Sequence, residues 1–227
     1  MKDTKKQVGL QDKSLLEKLC IILFLTLYAL IFIFRIPRIV FDGEVLIWIQ
    51  ASAYGILGIS GLLLFRQTFF AGIQSWKTAP FKSVFWLLGA YVVLILATQI
   101  ASLPAYLMGL DAPQNDANVI VAVQLLGAPL SILLLGIAGP ITEEIIYRGF
   151  LIQKRKIPLW VCIILSSILF ALAHMHGFSL IDFTGVLPHF AVALVYGILY
   201  VATSNITLPL ILHIINNVFA IILLNSI

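Results

Sequence analysis

The residues that could carry chemistry stand out because their surroundings are so apolar. Glu143 and Glu144 are adjacent, and Arg148 follows Glu144 by four positions. A charged group at the centre of a bilayer costs about 2.5–3.5 kcal/mol on insertion scales, so such groups persist where a partner or a task compensates. We therefore expect the segment from Gly139 to Phe150 to be the working centre of the molecule.

Helical spacing separates the roles of the two glutamates. Glu144 and Arg148 share one helix face in the favourable acid-before-base order, so we interpret them as a structural support. Glu143 points about 100° away and lacks that partner. A carboxyl held in this way is a candidate general base.

Two further segments supply polar groups of the same kind. His174 closes an apolar run that contains Phe170, and His213 and Asn217 are four apart on one face of the last apolar run. The rise of about 1.5 Å per residue brings His174 to the depth of Glu143 if the two segments form an antiparallel hairpin. The sequence therefore predicts that three separated segments converge inside the bilayer.

The elements that must position these groups are membrane helices. The chain has 227 residues, of which 61% are hydrophobic and 11% charged, whereas soluble domains carry about 25% charged residues. Several apolar runs approach the roughly 20 residues that cross a bilayer. The net charge of +4 lies in short basic clusters between these runs, which indicates membrane orientation and excludes nucleic-acid binding. Cys20 and Cys162 fall in apolar runs and predict neither a disulfide framework nor a zinc cluster.

The predicted fold class is all-α, a polytopic transmembrane bundle of about seven spans, with six to eight possible. The spans are expected near residues 15–34, 44–65, 84–108, 118–153, 158–174, 188–203 and 207–225. Pro140 is expected to interrupt the fourth span around residues 136–140, and two passes there would change the count. In the second span, Gly55, Gly58 and Gly61 could let another helix approach closely.

We divide the chain into a cytoplasmic N-terminal tail, residues 1–18, and a single transmembrane domain, residues 19–227. With seven spans and a cytoplasmic N-terminus, twelve basic residues lie inside and two outside, Arg35 and Arg38. This asymmetry favours N-in, C-out. Arg66, Lys77 and Lys82 are assigned to an inside loop and Asp182 to an outside one, and a last inside cluster is Lys154, Arg155 and Lys156.

The motifs, taken in order, resemble the CPBP family of intramembrane proteases. They are Glu143-Glu144-x-x-x-Arg148, Phe170-x-x-x-His174 and His213-x-x-x-Asn217, with Phe190 to Gly197 as a weaker third motif. That family, also called Abi, comprises CAAX-processing endopeptidases and bacteriocin-processing or immunity proteins. The resemblance implies a CAAX-protease-like catalytic core at about residues 136–217.

By that resemblance, Glu143 and His174 activate a water, and His213 and Asn217 stabilise the oxyanion formed at a peptide carbonyl. The family is often called metalloproteases, and Glu143, His174 and His213 would be the ligands if zinc is present. There is no His-Glu-x-x-His pair, and Glu143 cannot be both ligand and free base, so we favour a mechanism without metal. The implied function is an intramembrane endopeptidase, a hydrolase acting on a membrane-delivered peptide or protein.

Other interpretations of the same residues stay open. The acidic motif could be a structural charge cluster, and His213 and Asn217 could simply bridge helices by hydrogen bonds. His176 and His189 match no motif and are assigned to the surface or the membrane interface, and Tyr147 is expected to pack rather than to bond Glu143. A non-catalytic immunity or scaffold protein of the same fold is the main alternative function. A proton-coupled transporter is another, against which the chain shows no inverted repeat.

The sequence also predicts the surroundings of the protein. The partners are the lipid bilayer and a peptide or small-protein substrate, whether CAAX-type, leader, signalling or bacteriocin peptide. The predicted location is a bacterial plasma membrane. Oligomeric state and prenylation of the substrate are not predicted.

Overall fold

The structure, a computed structural model, describes residues 14–110, 114–153 and 157–225, with the side chains of 114–116 excepted. Across these ranges the regular elements are helices, with no strand. Six helical stretches are long and apolar enough to cross a membrane: Leu15–Ile33 (α1), Gly43–Leu64 (α2), Pro80–Leu107, Ala128–Phe150, Leu180–Thr203 and Thr207–Leu224. The predicted polytopic bundle of an integral membrane protein is confirmed.

Shorter helices complete the described chain. They are Pro37–Val40, Arg66–Thr78 (α3), Gln114–Leu126 and Leu159–Ala173, and the stretch Leu180–Thr203 consists of Leu180–Gly185 and Leu187–Thr203. In chain order, Pro80–Leu107 is α4, Gln114–Leu126 α5, Ala128–Phe150 α6, Leu159–Ala173 α7, Leu180–Gly185 α8, Leu187–Thr203 α9 and Thr207–Leu224 α10. The predicted fifth span is α7, whose 15 residues extend only about 22 Å.

The predicted interruption of the fourth span is wrong in its position. The chain breaks at Gly127, whose φ of +74° ends α5 and begins α6. Helix α6 then runs unbroken through Pro140, because the turns before it are wide. Residues Ile132–Ala138 form π-helix, and the Gly139 amide bonds the Leu134 carbonyl five residues back. A widened turn accommodates a proline that cannot donate a hydrogen bond.

Two predicted loops also prove to be helical. The basic segment after the second span forms α3, which contains Arg66 and Lys77. Asp182 lies in the first turn of α8, where its carboxylate accepts hydrogen bonds from the Ser179 amide and hydroxyl. Both helices are much shorter than the roughly 20 residues that cross a bilayer, so neither forms an apolar run that would be recognised as a span. The predictions for most of the N-terminal tail and for Lys154 to Lys156 lie outside the described residues.

Helix α6 forms the centre of the bundle. Of its most apolar 18-residue window, 67% is buried, against 6% of the corresponding window of α4. Helix α2 packs closely along α6, as the glycine spacing predicted. A Cβ at Gly58 would lie 2.8 Å from the Ala138 Cβ, and Gly55 and Gly61 meet Leu134 and Ile145 in the same way. The acidic motif is therefore in the most enclosed part of the molecule.

Candidate active site

The acidic motif lies on the buried part of α6. Glu144 and Arg148 are fully buried, and Glu143 is 5% exposed. Charged groups in such surroundings require partners, because desolvation costs several kcal/mol per ion. The contacts of these three side chains therefore define the site.

Glu144 and Arg148 form an ion pair across one helical turn, as their spacing predicted. Arg148 Nη1 lies 3.2 Å from Glu144 Oε1. The guanidinium lies 5.2 Å from the ring centres of both Phe170 and Tyr196, and its Nη2 donates to the Ala193 carbonyl at 3.2 Å. Because Phe170 is on α7 and Ala193 and Tyr196 are on α9, Arg148 connects three helices.

His213 of α10 extends this pair toward Glu143. Its Nδ1 lies 2.9 Å from Glu144 Oε1, and its Nε2 lies 3.6 Å from Glu143 Oε2. A carboxylate that accepts the Nδ1 proton fixes the direction of the imidazole ring. Glu144 thus aims the second ring nitrogen of His213 at Glu143, a role that spacing within α6 alone could not reveal.

Glu143 also has a partner that the sequence did not predict. The hydroxyl of Tyr54 on α2 donates to Glu143 Oε1 at 2.8 Å. The two carboxylate oxygens therefore have different surroundings, a phenol at Oε1 and an imidazole nitrogen at Oε2. Tyr147, four residues after Glu143, instead pairs with the hydroxyl of Tyr28 at 3.1 Å.

His174 lies at the end of α7, next to this cluster but without direct contact. Its Nδ1 donates to the Phe170 carbonyl at 2.8 Å, the tautomer that leaves Nε2 free. Its ring lies 4.6 Å from the Phe170 ring, which in turn lies 5.9 Å from the ring of His213. Within the described ranges, no hydrogen bond or ion pair joins His174 to Glu143. One phenyl ring therefore contacts both imidazoles.

The antiparallel packing of α6 and α7 explains this placement. The Ser166 hydroxyl donates to the Tyr147 carbonyl at 2.6 Å, and the Tyr147 and Phe170 rings meet edge to face at 5.1 Å. Four residues back along α6 is Glu143, and four residues on from Phe170 is His174. Both residues therefore lie about one helical turn from this contact, in the same direction.

Asn217 lies one turn beyond His213 on α10. It is half-buried, and its Nδ2 makes a long contact of 3.5 Å with the Leu135 carbonyl. Within the described residues, Asn217 makes no hydrogen bond to Glu143, His174 or His213, and its weak bond to Leu135 leaves the amide able to turn toward a ligand. The structure thus brings Glu143, Glu144, Arg148 and His213 into contact and leaves His174 and Asn217 at the edge of the cluster.

Three residues near His174 make contacts that the sequence did not predict. His189, assigned to the surface or the membrane interface, is half-buried and stacks on the His174 ring at 4.4 Å. Arg35 was placed outside the membrane with Arg38, and its Nη2 donates to the carbonyls of Ala173 and Met175 at 3.0 and 2.7 Å. His176, assigned like His189, is half-buried beside Asn118 at 3.3 Å. Only the weaker motif that starts at Phe190 gave any signal, for the adjacent His189.

The three candidate zinc ligands, Glu143, His174 and His213, do not meet as one group. Among residues 14–110, 114–153 and 157–225, no three His, Cys, Asp or Glu side chains are grouped as a metal site. His213 and His174 each bond a neighbour through Nδ1, so Nε2 is the nitrogen of each ring that could face a metal. A catalytic zinc site takes three protein ligands around one point. We derive no step through a metal.

Comparison with known proteins agrees with the motifs. Residues 125–219 match the family described as "Type II CAAX prenyl endopeptidase Rce1-like". The chain is 27% identical over 146 residues to "Putative membrane peptidase YdiL" of Bacillus subtilis (strain 168), covering 62% of this chain and 56% of that protein. It is 26% identical over 119 residues to "Membrane-embedded CAAX protease MroQ" of Staphylococcus aureus (strain USA300), covering 49% and 44%.

These matches cover part of the chain and part of each relative. The aligned regions span about half the length of the two curated relatives, and no solved structure matches the chain. The family match includes Glu143, His174, His213 and Asn217 and excludes α1 to α4. The resemblance to the CPBP family is confirmed on this basis.

Proposed function

We propose that this integral membrane protein is an intramembrane endopeptidase, because residues 125–219 match the Rce1-like CAAX prenyl endopeptidase family and two bacterial membrane peptidases resemble the chain. The observation that supports this most is the buried contact between Glu143, His213 and Glu144. A carboxylate and an oriented imidazole at 3.6 Å, enclosed in an apolar bundle, suit proton transfer to and from a water.

In the proposed reaction Glu143 is the general base. Its carboxylate takes a proton from water while the water oxygen bonds to the peptide carbonyl carbon. His174 holds this water through its free Nε2. The tetrahedral intermediate then collapses, the carbon–nitrogen bond breaks, and the proton held by Glu143 passes to the leaving amine. All atoms and charges balance with water as the only co-substrate.

His213 and Asn217 are proposed to stabilise the oxyanion. Donors aimed at developing negative charge act most strongly where water is excluded. In this step His213 acts as an imidazolium with a proton on each ring nitrogen. Its Nδ1 donates to Glu144, which fixes the direction of the ring, and its Nε2 donates to the carbonyl oxygen beside Glu143. The Asn217 amide is one turn away on the same helix and has only the 3.5 Å contact to give up. These two groups would bind the carbonyl oxygen as it gains charge.

The substrate is proposed to be a peptide or small protein delivered at the membrane. One of the relatives is named for CAAX proteolysis, and the site lies inside a bundle whose helices face lipid. A CAAX-type, leader, signalling or bacteriocin peptide would bring its scissile bond to Glu143 from the membrane side. Nothing in the described chain selects among these peptides.

The proposed setting is a bacterial plasma membrane with the N-terminus in the cytoplasm. Both relatives are bacterial proteins, and basic residues concentrate on the side assigned to the cytoplasm. A single cysteine placed in the N-terminal tail of a variant lacking Cys20 and Cys162 would test the orientation. Labelling by a membrane-impermeant maleimide in intact cells would contradict it.

Comparative peptidomics tests the function. Membranes from cells that express the wild type or Glu143→Ala are compared for peptide termini that depend on the intact glutamate. Termini present only with the wild type support the protease. The contrary result is a folded Glu143→Ala protein that gives the same peptide termini and still protects the cells against a bacteriocin. In that case the non-catalytic immunity or scaffold function is correct instead.

A further inference from the structure

Tyr54 is a polar residue that the proposed reaction does not use. It lies on α2, outside the residues matched by the family, and its hydroxyl donates to Glu143 Oε1 at 2.8 Å. It is the partner on one oxygen of the proposed general base, supplied by a different part of the bundle. Tyr54 therefore links the N-terminal half of the chain, which has no motif, to the proposed general base.

The Tyr54 ring is held on two sides. One face stacks on Phe32 of α1, with ring centres 4.1 Å apart. On another side the ring lies against Gly139, where a Cβ would be 3.6 Å from two ring atoms. Gly139 is one turn before Glu143 on α6. Contacts with both α1 and α6 therefore fix the direction in which the hydroxyl points.

The backbone of α2 is also fixed near this residue. Gly58, one turn after Tyr54, lies so close to α6 that an added Cβ would be 2.8 Å from Ala138 Cβ and 3.0 Å from its Cα. A helix held at this distance places the Tyr54 hydroxyl within reach of Glu143 and leaves little room for sliding. The packing of α2 on α6 and the hydrogen bond to Glu143 therefore both fix the position of the Tyr54 hydroxyl.

This contact leaves one carboxylate oxygen available. Tyr54 occupies Oε1, while Oε2 is directed to the side of His213 Nε2, 3.6 Å away. A free glutamate side chain rotates about three bonds, and misplacement of a catalytic group by about 1 Å costs up to roughly 100-fold in rate. A donor that holds Oε1 would keep Oε2 facing the attacking water.

We propose that Tyr54 is a positioning residue, which holds the Glu143 carboxylate through Oε1 so that Oε2 is presented to the attacking water beside His213. This proposal rests on the proposed function. It assigns α1 and α2 a part in the chemistry, since the ring that positions Glu143 is on α2 and the ring that supports it is on α1.

The neighbouring tyrosine pair supplies a matched control. Tyr28 and Tyr147 are both buried and share a hydrogen bond of 3.1 Å between their hydroxyls. Tyr28→Phe therefore removes a buried hydroxyl and a hydrogen bond from the same region without removing a bond to Glu143. Any general effect of losing a buried hydroxyl would appear in both variants.

The first measurement is steady-state cleavage by the purified full chain in lipid nanodiscs, with a synthetic peptide that contains a cleavage site found by the peptidomics. Tyr54→Phe is expected to lower kcat by about 10- to 100-fold with KM changed by less than about twofold, and Tyr28→Phe to leave both near wild type. A wild-type kcat for Tyr54→Phe overturns the proposal. So does a rise in KM alone, or an equal fall in kcat for both variants.

A second measurement detects the hydrogen bond between Tyr54 and Glu143 without requiring turnover. The infrared carboxyl band that disappears in Glu143→Gln is assigned to Glu143, and it should shift in Tyr54→Phe but not in Tyr28→Phe. An unshifted band overturns the proposal, as does a shifted band with unchanged kcat.

Failure of the proposed function can be distinguished from failure of the Tyr54 proposal. If the folded wild type cleaves no peptide, the proposed function fails, and the positioning role of Tyr54 fails with it. A wild type that cleaves while Tyr54→Phe is unaffected refutes the role of Tyr54 alone.

Discussion

At the scale of single residues, Glu144 illustrates how one carboxylate serves two partners. Its Oε1 contacts both Arg148 and His213. Within the described chain, its Oε2 and the Nε of Arg148 have no hydrogen-bond partner. A buried ion pair with incomplete hydrogen bonding stabilises a fold weakly, but removing one member leaves an uncompensated charge. Glu144 therefore matters more for orientation and charge balance than for net stability.

Replacing Glu144 by Ala should destabilise the protein by about 3–5 kcal/mol, because Arg148 is left charged in an apolar site. Thermal unfolding in detergent measures the effect. The double variant Glu144→Ala/Arg148→Met is the control, and it should recover part of the loss because no charge remains unpaired. An unchanged unfolding temperature for the single variant would show that Arg148 does not depend on Glu144.

Replacing His174 by Ala should abolish turnover with little change in unfolding temperature. The residue is half-buried at a helix end, so its loss leaves no large cavity, whereas loss of the nitrogen that holds the attacking water costs about 100-fold or more. His176→Ala, a nearby half-buried histidine outside the cluster, should keep its activity. Full activity of the His174 variant would remove this residue from the mechanism.

At the scale of elements, the site depends on how closely α2 and α6 pack. Gly58 is the point of closest approach, because the atoms it would meet include the Ala138 backbone. A backbone cannot move aside as a flexible side chain can. The separation of these two helices therefore sets the distance from Tyr54 to Glu143.

Gly58→Ala should push α2 away from α6 and lower both stability and activity. Overpacking a close helix contact costs about 1–3 kcal/mol. Gly89→Ala on α4 is the matched control, since a Cβ there meets nothing within 4 Å. Unfolding temperature and kcat of the two variants check the prediction. Equal behaviour of the two variants would mean that the close approach is not required.

The elements also show which features the sequence could predict. Helix spacing correctly put Glu144 and Arg148 on one face, and the glycine spacing of α2 correctly indicated a close approach. Both depend on residues within one helix. The break at Gly127 was misplaced, because Pro140 is the stronger breaker by type, and the widened turns that accept it leave no mark in the sequence.

Contacts between helices were the harder part to predict. The bond from Tyr54 to Glu143 depends on the rotation of α2 against α6, and the bond from Arg35 depends on a loop that reaches the end of α7. Neither residue has a partner at a fixed spacing in the sequence. His213 was expected near Glu143, but its bond to Glu144 required the packing of α10 on α6.

At the scale of the whole molecule, one buried helix carries the acidic groups and the others deliver their partners. Helices α2, α7 and α10 bring Tyr54, His174 and His213 toward α6, while α4 faces mainly outward. The polar groups are thus gathered where the bundle excludes lipid. This is the arrangement expected of the proposed active site, a polar cluster inside an apolar bundle.

Cleavage should not depend on a bound metal. Glu143 cannot serve both as a metal ligand and as the free base, and the donors around it are not grouped as a metal site within the described ranges. Activity should therefore persist in 1,10-phenanthroline, and metal analysis of the active protein should find well under one zinc per chain. Loss of activity in the chelator, restored by added zinc, would contradict this prediction.

The most direct test of the account is the cleavage rate of Glu143→Gln. Glutamine keeps the size of the side chain and can still bond Tyr54, but it cannot take a proton from water. The purified variant in nanodiscs, with the unfolding temperature of the wild type, should cleave the peptide at least about 100-fold more slowly. A folded Glu143→Gln protein that cleaves at the wild-type rate would contradict the account.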